Sequence, residues 1–190
     1  MIITIGRQLA AGGREVGALL AERLGLRYFD KELLQEAAKQ SGITQDTFLR
    51  ADENYNLFTL ALNTDRQKLF QWQSETIRRL AAEGDCLFLG RAADYVLRDR
   101  SDIFSVFLTA DLADRVTRIM EGENMQEKEA LAFIENSDSR REDYYNFFTG
   151  KHWGDSSGYD LCINTSRFGI TATADIIIAA LRHREETVIN

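Results

Sequence analysis

The chain opens with a short apolar segment that runs directly into a loop of small residues, and this junction constrains the fold more than any other feature. Residues Met1–Ile5 are apolar without regular alternation, which favours a strand buried on both faces. After the loop, apolar residues repeat at helical spacing from Val16 to Leu24, and Gly25 is a suitable helix terminator. The opening residues therefore predict a strand, a loop and a helix in direct succession.

Four further apolar runs alternate with helical patterns along the chain. We predict strands at 26–29, 86–89, 103–108 and 159–163, and helices at 70–81, 92–98, 111–120, 126–148 and 171–182. Buried strands separated by helices indicate a parallel sheet covered on both faces. A length of 190 residues without repeats or linkers fits one α/β domain with three layers and a five-stranded sheet.

Each predicted strand ends at a group that is able to take part in binding. These groups are the Gly/Arg loop at 6–14, Asp30, Arg91, Thr109 with Asp111, and Asn164. Ligands of open parallel sheets bind at the carboxyl ends of the strands. We therefore expect one shared site along this edge.

Composition narrows the class of ligand. The net charge is −7, although arginines cluster locally, so the chain suits a small anionic ligand better than duplex nucleic acid. The longest apolar runs, such as 103–108, are too short to span a bilayer, and the N-terminus lacks signal-peptide features. Cys86 and Cys162 lie in apolar runs, which favours buried free thiols. We expect a cytoplasmic protein without a membrane partner, while its oligomeric state stays open.

The loop after the first strand has the length of a phosphate-binding loop but different key residues. The standard loop is Gly, four residues, then Gly-Lys-Ser/Thr. Here Arg7 replaces the first glycine, Gly13 the lysine and Arg14 the hydroxyl residue, and we expect Arg14 to supply the missing positive charge. The alternative is a tight turn whose glycines serve geometry alone. The residues predicted to bind the phosphates of a nucleotide are Arg7, Ala10, Ala11, Gly12, Gly13, Arg14 and Glu15.

Several motifs together resemble one family. They are the opening Ile-Thr-Ile-Gly-Arg-Gln with Gly-Gly-Arg-Glu-Val-Gly, the Tyr-Phe-Asp at 28–30, Gly90-Arg91, the Asp-Ser-Arg-Arg at 138–141 with two following tyrosines, the Gly-Lys-His-Trp-Gly at 150–154 and the Tyr-Asp-Leu-Cys-Ile-Asn at 159–164. This pattern covers nearly the whole chain and resembles the cytidylate kinase-like family, a divergent branch of the nucleoside monophosphate kinases. The resemblance implies a P-loop kinase-like fold that uses ATP and Mg²⁺, with the magnesium ligands left unknown.

Two residues are expected to bind the acceptor. The resemblance assigns the acceptor phosphate to Arg91, although Ala92 stands where cytidylate kinases have an aspartate. A guanidinium is well suited to phosphate, but a surface pair of Arg91 with Asp94 or Asp85 is the alternative. In related small-molecule kinases an aspartate at the place of Asp30 faces the acceptor, and a helix N-cap is the other interpretation.

The resemblance also implies two helical insertions, one over the acceptor at 31–83 and a lid at 121–154. Arg115 and Arg118 are three residues apart and share a helix face. Asp138 and Arg141 match the Asp-x-x-Arg of a lid that closes over the transferred phosphate. An exposed helix with many acidic residues is the alternative. The predicted catalytic residues are Arg14, Arg115, Arg118, Asp138 and Arg141.

These features predict an enzyme that transfers a phosphoryl group from ATP to a small acceptor. A cytidylate-type nucleoside monophosphate is the best candidate, and the expected partners are a nucleotide and this acceptor. Two other interpretations stay open at this point. One is a nucleotide or anion sensor without turnover, motivated by the altered loop, and the other is an interaction domain that kept only the scaffold.

Overall fold

A computed structural model describes residues 1–30 and 62–188 of the chain. The elements, numbered in order within these residues, are β1 (Ile2–Arg7), α1 (Gly13–Leu24), β2 (Arg27–Phe29), α2 (Leu62–Ala82), β3 (Cys86–Leu89), α3 (Ala93–Val96), β4 (Ile103–Thr109), α4 (Leu112–Glu123), α5 (Glu127–Thr149), a 3₁₀ turn (Ser156–Gly158), β5 (Leu161–Asn164) and α6 (Thr165–Val188). Most of the predicted insertion at 31–83 falls on 31–61, outside the described residues.

The strands of the described chain form one five-stranded parallel sheet in the order β2-β3-β1-β4-β5. Strand β1 lies at the centre, where Ile5 pairs with Leu89 on one side and with Val106 on the other. The predicted α/β architecture is therefore confirmed. The order places the loop after β1 between the ends of β3 and β4, so residues distant in sequence meet there.

The sheet is buried on both faces, as its uninterrupted apolar runs predicted. One core packs α1 and α6 against residues such as Ile3, Ile5 and Val106. The other packs α2 and α3 against Ile2 and Phe88. Two buried faces explain why most side chains of β1, β3 and β4 are apolar.

Several predicted boundaries differ from those of the structure. Strand β5 begins at Leu161 because the Asp160 carboxylate accepts a hydrogen bond from the Ser105 N–H (2.7 Å) and takes the place of a ladder partner. The segment Thr165–Val188 is interrupted by a non-helical residue at Gly169, so the predicted helix at 171–182 lies in its second part and the short helix before Gly169 was not predicted. Helix α2 begins at Leu62 instead of 70.

The prediction for one cysteine is also wrong. Cys86 is buried, but Cys162 is exposed. Cys162 lies on the edge strand β5, where its neighbour Ile163 faces the core. Successive side chains of a strand point to opposite faces, so the neighbour of a core residue on an edge strand is left in solvent.

None of the helices in the described residues is both long and apolar enough to cross a bilayer.

The second core supplies a test of how helix α2 is anchored. Ile77 is fully buried against the sheet, so Ile77→Ala should lower the free energy of unfolding by about 3 kcal/mol through lost burial and a residual cavity. Leu112→Ala is the control, since Leu112 is 52% exposed and the change should cost less than about 0.5 kcal/mol. Urea denaturation measures both, and equal losses would contradict the described packing of α2.

Candidate functional site

The loop between β1 and α1 presents a row of unpaired backbone donors. Within the described residues, the N–H groups of Ala10, Gly12, Gly13, Arg14 and Glu15 donate no hydrogen bond to the protein. Ala10 and Gly12 adopt left-handed conformations, with φ of 57° and 74°, which turn the chain into the helix. Converging N–H groups at a helix N-terminus are a favourable environment for an anion.

The carbonyl oxygens of the same loop are occupied by the protein. Three side chains from α4 and α6 donate hydrogen bonds to them. The bonds join Arg115 Nε to Leu9 O (2.7 Å), Arg118 Nη1 to Ala10 O (2.8 Å) and Thr165 Oγ1 to Ala11 O (3.1 Å). These backbone carbonyl oxygens of the loop are therefore hydrogen-bonded to the protein, while the N–H groups named above stay available to a ligand.

Asp138 connects helix α5 to the loop. Its carboxylate accepts a hydrogen bond from the Leu9 N–H (2.7 Å) and forms an ion pair with Arg115. Arg141 Nη1 lies 3.4 Å from Oδ1, the carboxylate oxygen that also accepts from Leu9. Since Arg115 is only 5% exposed, its guanidinium holds the loop and Asp138 together instead of facing solvent.

Arg7 lies deep in the site. Burial is the main cause that lowers its pKa to about 9, and the neighbouring Arg141 and Arg91 lower it further while Asp30 opposes them. The Asp30 carboxylate lies 3.9 Å from Arg7 Nη2 and accepts a hydrogen bond from Arg14 Nε at 2.9 Å. Asp30 thus contacts both arginines of the loop, whereas the sequence predicted for it either a contact with the acceptor or a helix N-cap. Its predicted cap role falls on residues beyond 30, outside the described chain.

Arg91 lies in a strained turn after β3. Gly90, Arg91 and Ala92 are all left-handed, with φ of 73°, 63° and 51°. This conformation costs about 1–2 kcal/mol for each residue that has a Cβ. The buried Gln73 amide supports the turn, because Nε2 donates both to Arg91 O (3.2 Å) and to the Tyr144 hydroxyl (2.6 Å). Such strain, when fixed by surrounding structure, is typical of functional sites.

Several guanidinium groups therefore share a small volume. Burial lowers the pKa of Arg141, Asp138 opposes this shift, and other arginines lower it further. The interacting groups are Arg7, Arg14, Arg91, Arg115 and Arg141, facing the carboxylates of Asp30 and Asp138. Among the described residues the positive charges of this cluster outnumber the negative ones, and a bound polyanion would compensate them.

Two of the sequence alternatives can be compared with the geometry. Asp94 accepts a hydrogen bond from the Tyr145 hydroxyl (2.6 Å), and Asp85 pairs with the Met1 amino group, so both expected surface partners of Arg91 are engaged elsewhere. Asn164 stabilises the turn after β5, because it accepts from the Ser166 N–H at 2.9 Å. Glu15 is exposed in the first turn of α1.

Sequence reasoning missed three polar residues that shape the site. Thr165 is fully buried and bonds the loop, Gln73 supports Arg91, and Gln8 accepts from the Ala110 N–H at 3.3 Å. Thr165 could have been found, because it follows a predicted strand end directly. Gln73 could not, since a glutamine in a helical pattern is usually exposed.

The aromatic residues at and after the end of α5 pack against the domain. Phe148 stacks on Phe70 at 4.3 Å between ring centroids, and Trp153 meets Phe107 edge-on at 5.3 Å. These contacts pack the end of α5 and the segment after it against α2 and β4.

The described residues contain no group of three side chains suited to a metal ion. Arg14 also replaces the hydroxyl residue that normally contacts magnesium in such loops. These residues therefore do not form a protein cage for a divalent cation.

Comparisons with known proteins agree with this geometry. The model of the cytidylate kinase-like family matches residues 2–167. The cytidylate kinase of Methanothrix thermoacetophila is 30% identical, over 96% of this chain and 98% of its own. A crystal structure of an uncharacterized protein from Eubacterium ventriosum has a TM-score of 0.78 and 30% identity, over 96% of this chain and 98% of the other.

A more distant comparison concerns the fold alone. The shikimate kinase of Aquifex aeolicus is 16% identical with a TM-score of 0.56, over 97% of this chain and 98% of its own. The expected P-loop kinase-like fold is thereby confirmed. The chain belongs to the cytidylate kinase-like family and is a nucleotide kinase-like phosphotransferase.

Proposed function

We propose that the protein transfers the γ-phosphoryl group of ATP to a nucleoside monophosphate, with CMP as the preferred acceptor. The observation that supports this most strongly is the arginine cluster around a loop of unpaired N–H groups, within a chain of net charge −7. Positive charge is concentrated where the strand ends meet. Such an arrangement favours a compact polyanion, as formed by the phosphates of two nucleotides.

The donor would bind along the loop. Its phosphates would accept hydrogen bonds from the N–H groups of Gly12, Gly13 and Arg14, where the helix dipole adds favourable charge. In the reaction an acceptor phosphate oxygen forms a bond to the γ-phosphorus, and the bond from that phosphorus to the bridging oxygen breaks, leaving ADP. Positioning and charge stabilisation supply most of the catalysis in phosphoryl transfer.

The acceptor would bind on the side of β2 and β3. Arg91 is fixed by its strained turn and lies close enough to Arg7 and Arg141 to lower the pKa of both. A guanidinium in this place would hold the acceptor phosphate beside the transferred group. The Methanothrix relative is named a cytidylate kinase, which favours CMP, although Ala92 replaces the aspartate expected after Arg91.

Magnesium would reach the site with the nucleotide. Mg²⁺ usually keeps several waters and binds through substrate phosphates, so a protein cage is not required. When bound, it would supply charge neutralisation on the phosphates. The residues of this chain would act independently of it by orienting both nucleotides and excluding water.

Helix α5 would act as the lid of the site. Asp138 and Arg141 lie on this helix, and Asp138 contacts the loop backbone directly. Arg141 would stabilise charge that develops on the transferred phosphoryl group, because it is partly buried between Asp138 and the other arginines.

Adjacent arginines on α5 allow a matched test of catalysis. Arg141→Ala should lower kcat about a hundredfold, because loss of one charged donor in a transition state typically costs this much. Arg140→Ala is the control, since Arg140 is exposed and donates to Asn136 O of its own helix, and its kcat should change less than about twofold. Steady-state transfer from ATP with Mg²⁺ is measured over CMP, dCMP, UMP, AMP, GMP and small alcohols.

The acceptor panel separates the possible outcomes. CMP should give the highest kcat/KM. Turnover of an alcohol with none of the nucleotides would replace the proposed acceptor class, and equal effects of the two arginine variants would remove Arg141 from the mechanism. Binding of ATP without transfer to any acceptor would contradict the proposed reaction.

Asp138 provides a test of the link between loop and lid. Asp138→Asn should lower the free energy of unfolding by about 3 kcal/mol, because the buried Arg115 charge loses its partner. ATP affinity should fall as well, since Leu9 loses a charged acceptor. Asp143→Asn, on the exposed side of the same helix, should change stability by less than about 0.5 kcal/mol. Denaturation and ATP titration check both, and equal results for the two variants would refute the link.

A further inference from the structure

The position of the usual phosphate-loop lysine is closed to any side chain in this protein. That position is Gly13, and a Cβ atom built there would lie 2.8 Å from Cγ and 3.2 Å from Cβ of Arg7. Both atoms belong to the fixed base of the Arg7 side chain, so they have little freedom to move aside. Position 13 must therefore be a glycine to leave room for the Arg7 side chain, whatever the start of helix α1 itself requires.

The Arg7 side chain crosses the site from the loop to the turn after β3. Beyond Gly13, its guanidinium lies against Gly90, where an added Cβ would collide with Nη1. Glycines on both sides thus leave a channel that the arginine fills. The side chain is 19% exposed, and Asp30 Oδ1 lies 3.9 Å from its Nη2.

Arg14 is less suited to replace the lysine. Its side chain is 64% exposed, and its Nε donates to Asp30 at 2.9 Å. The expectation from the sequence placed the missing charge on Arg14. The geometry favours Arg7, which lies next to the lysine position and among the arginines of the site.

We propose that Arg7 binds the terminal phosphates of the donor nucleotide in place of the missing lysine, so that positions 7 and 13 have exchanged their charged and glycine residues. The standard loop has glycine at the first position and lysine at the seventh. This chain has arginine first and glycine seventh, and the side chain from the first position covers the seventh. The inference rests on the proposed function, because it assumes a nucleoside triphosphate as the ligand of the loop.

The desolvation of Arg7 agrees with this role. Burial and two neighbouring guanidinium groups disfavour its charged form, and one carboxylate, Asp30, opposes them. Within the part of the chain that the structure describes, the one ion pair of Arg7 is the 3.9 Å contact with Asp30, so its charge is only partly compensated there. Phosphate oxygens beside the loop N–H groups would complete its compensation.

A double-mutant cycle tests the exchange. Arg7→Gly should weaken ATP binding about tenfold and lower kcat with CMP about a hundredfold. Gly13→Lys alone should cause a comparable loss, because the new side chain collides with Arg7. The double variant Arg7→Gly/Gly13→Lys restores the standard pattern and should recover at least about tenfold in both quantities relative to either single variant.

Two further variants separate charge from folding. Arg7→Met keeps an aliphatic chain between Gly13 and Gly90 but removes the charge, so ATP binding should fall while Tm stays unchanged or rises. A purely structural role predicts the opposite, a lower Tm with unchanged ATP binding, and would overturn the proposal. Arg14→Ala should weaken ATP binding less than Arg7→Met does.

The outcomes also distinguish this inference from the proposed reaction. Recovery of ATP binding in the double variant, without transfer to any acceptor in the wild type, would support the role of Arg7 and contradict the reaction. Transfer in the wild type, with a double variant that is folded but no better than either single variant, would overturn the exchange and leave the reaction standing. A wild type that binds no ATP would overturn both.

Discussion

The carboxylate of Asp138 is the contact on which the arrangement of the site depends. It accepts the Leu9 N–H and pairs with Arg115, which in turn donates to the carbonyl oxygen of the same loop residue. The Asp138 carboxylate and the Arg115 guanidinium therefore bind the backbone N–H and the carbonyl oxygen of Leu9, respectively. Because these charges are largely removed from water, each depends strongly on the other. The shape of the loop is set by side chains of α4 and α5 as well as by the sequence of the loop itself.

The parts of this molecule that were predictable are those in which local pattern and topology agree. Uninterrupted apolar strands implied a doubly covered parallel sheet, and strand ends at Asp30 and Arg91 implied one shared edge, where the structure does place both. The role of Arg115 was not visible, since nothing in a helical pattern shows that an arginine is buried. Its partner Asp138 lies 129 residues from Leu9, and such a contact becomes apparent only when the packing of α5 is known.

The loop after β1 shows how the proposed function would be compatible with an altered sequence. In the standard pattern a lysine extends from the helix start, whereas here the corresponding residue is Gly13 and the nearest side chain belongs to Arg7. Comparison by aligned position alone suggests a defective loop. Comparison by the volume that a charged group occupies leads to a different conclusion, because the guanidinium of Arg7 lies beside the same backbone. Departures from a motif are best judged from the space that each side chain fills.

The Gln73 amide joins the two sides of the site. Its one nitrogen donates to the carbonyl oxygen of Arg91 and to the hydroxyl of Tyr144 on helix α5, so the turn after β3 and helix α5 are held by the same buried amide. Each of the two bonds uses one proton of the NH2 group. In the proposed reaction, an acceptor at Arg91 and a nucleotide beneath α5 would be connected through this amide, and any effect of one on the affinity for the other would be reciprocal. Substrate synergy in this enzyme would originate in a single amide of helix α2.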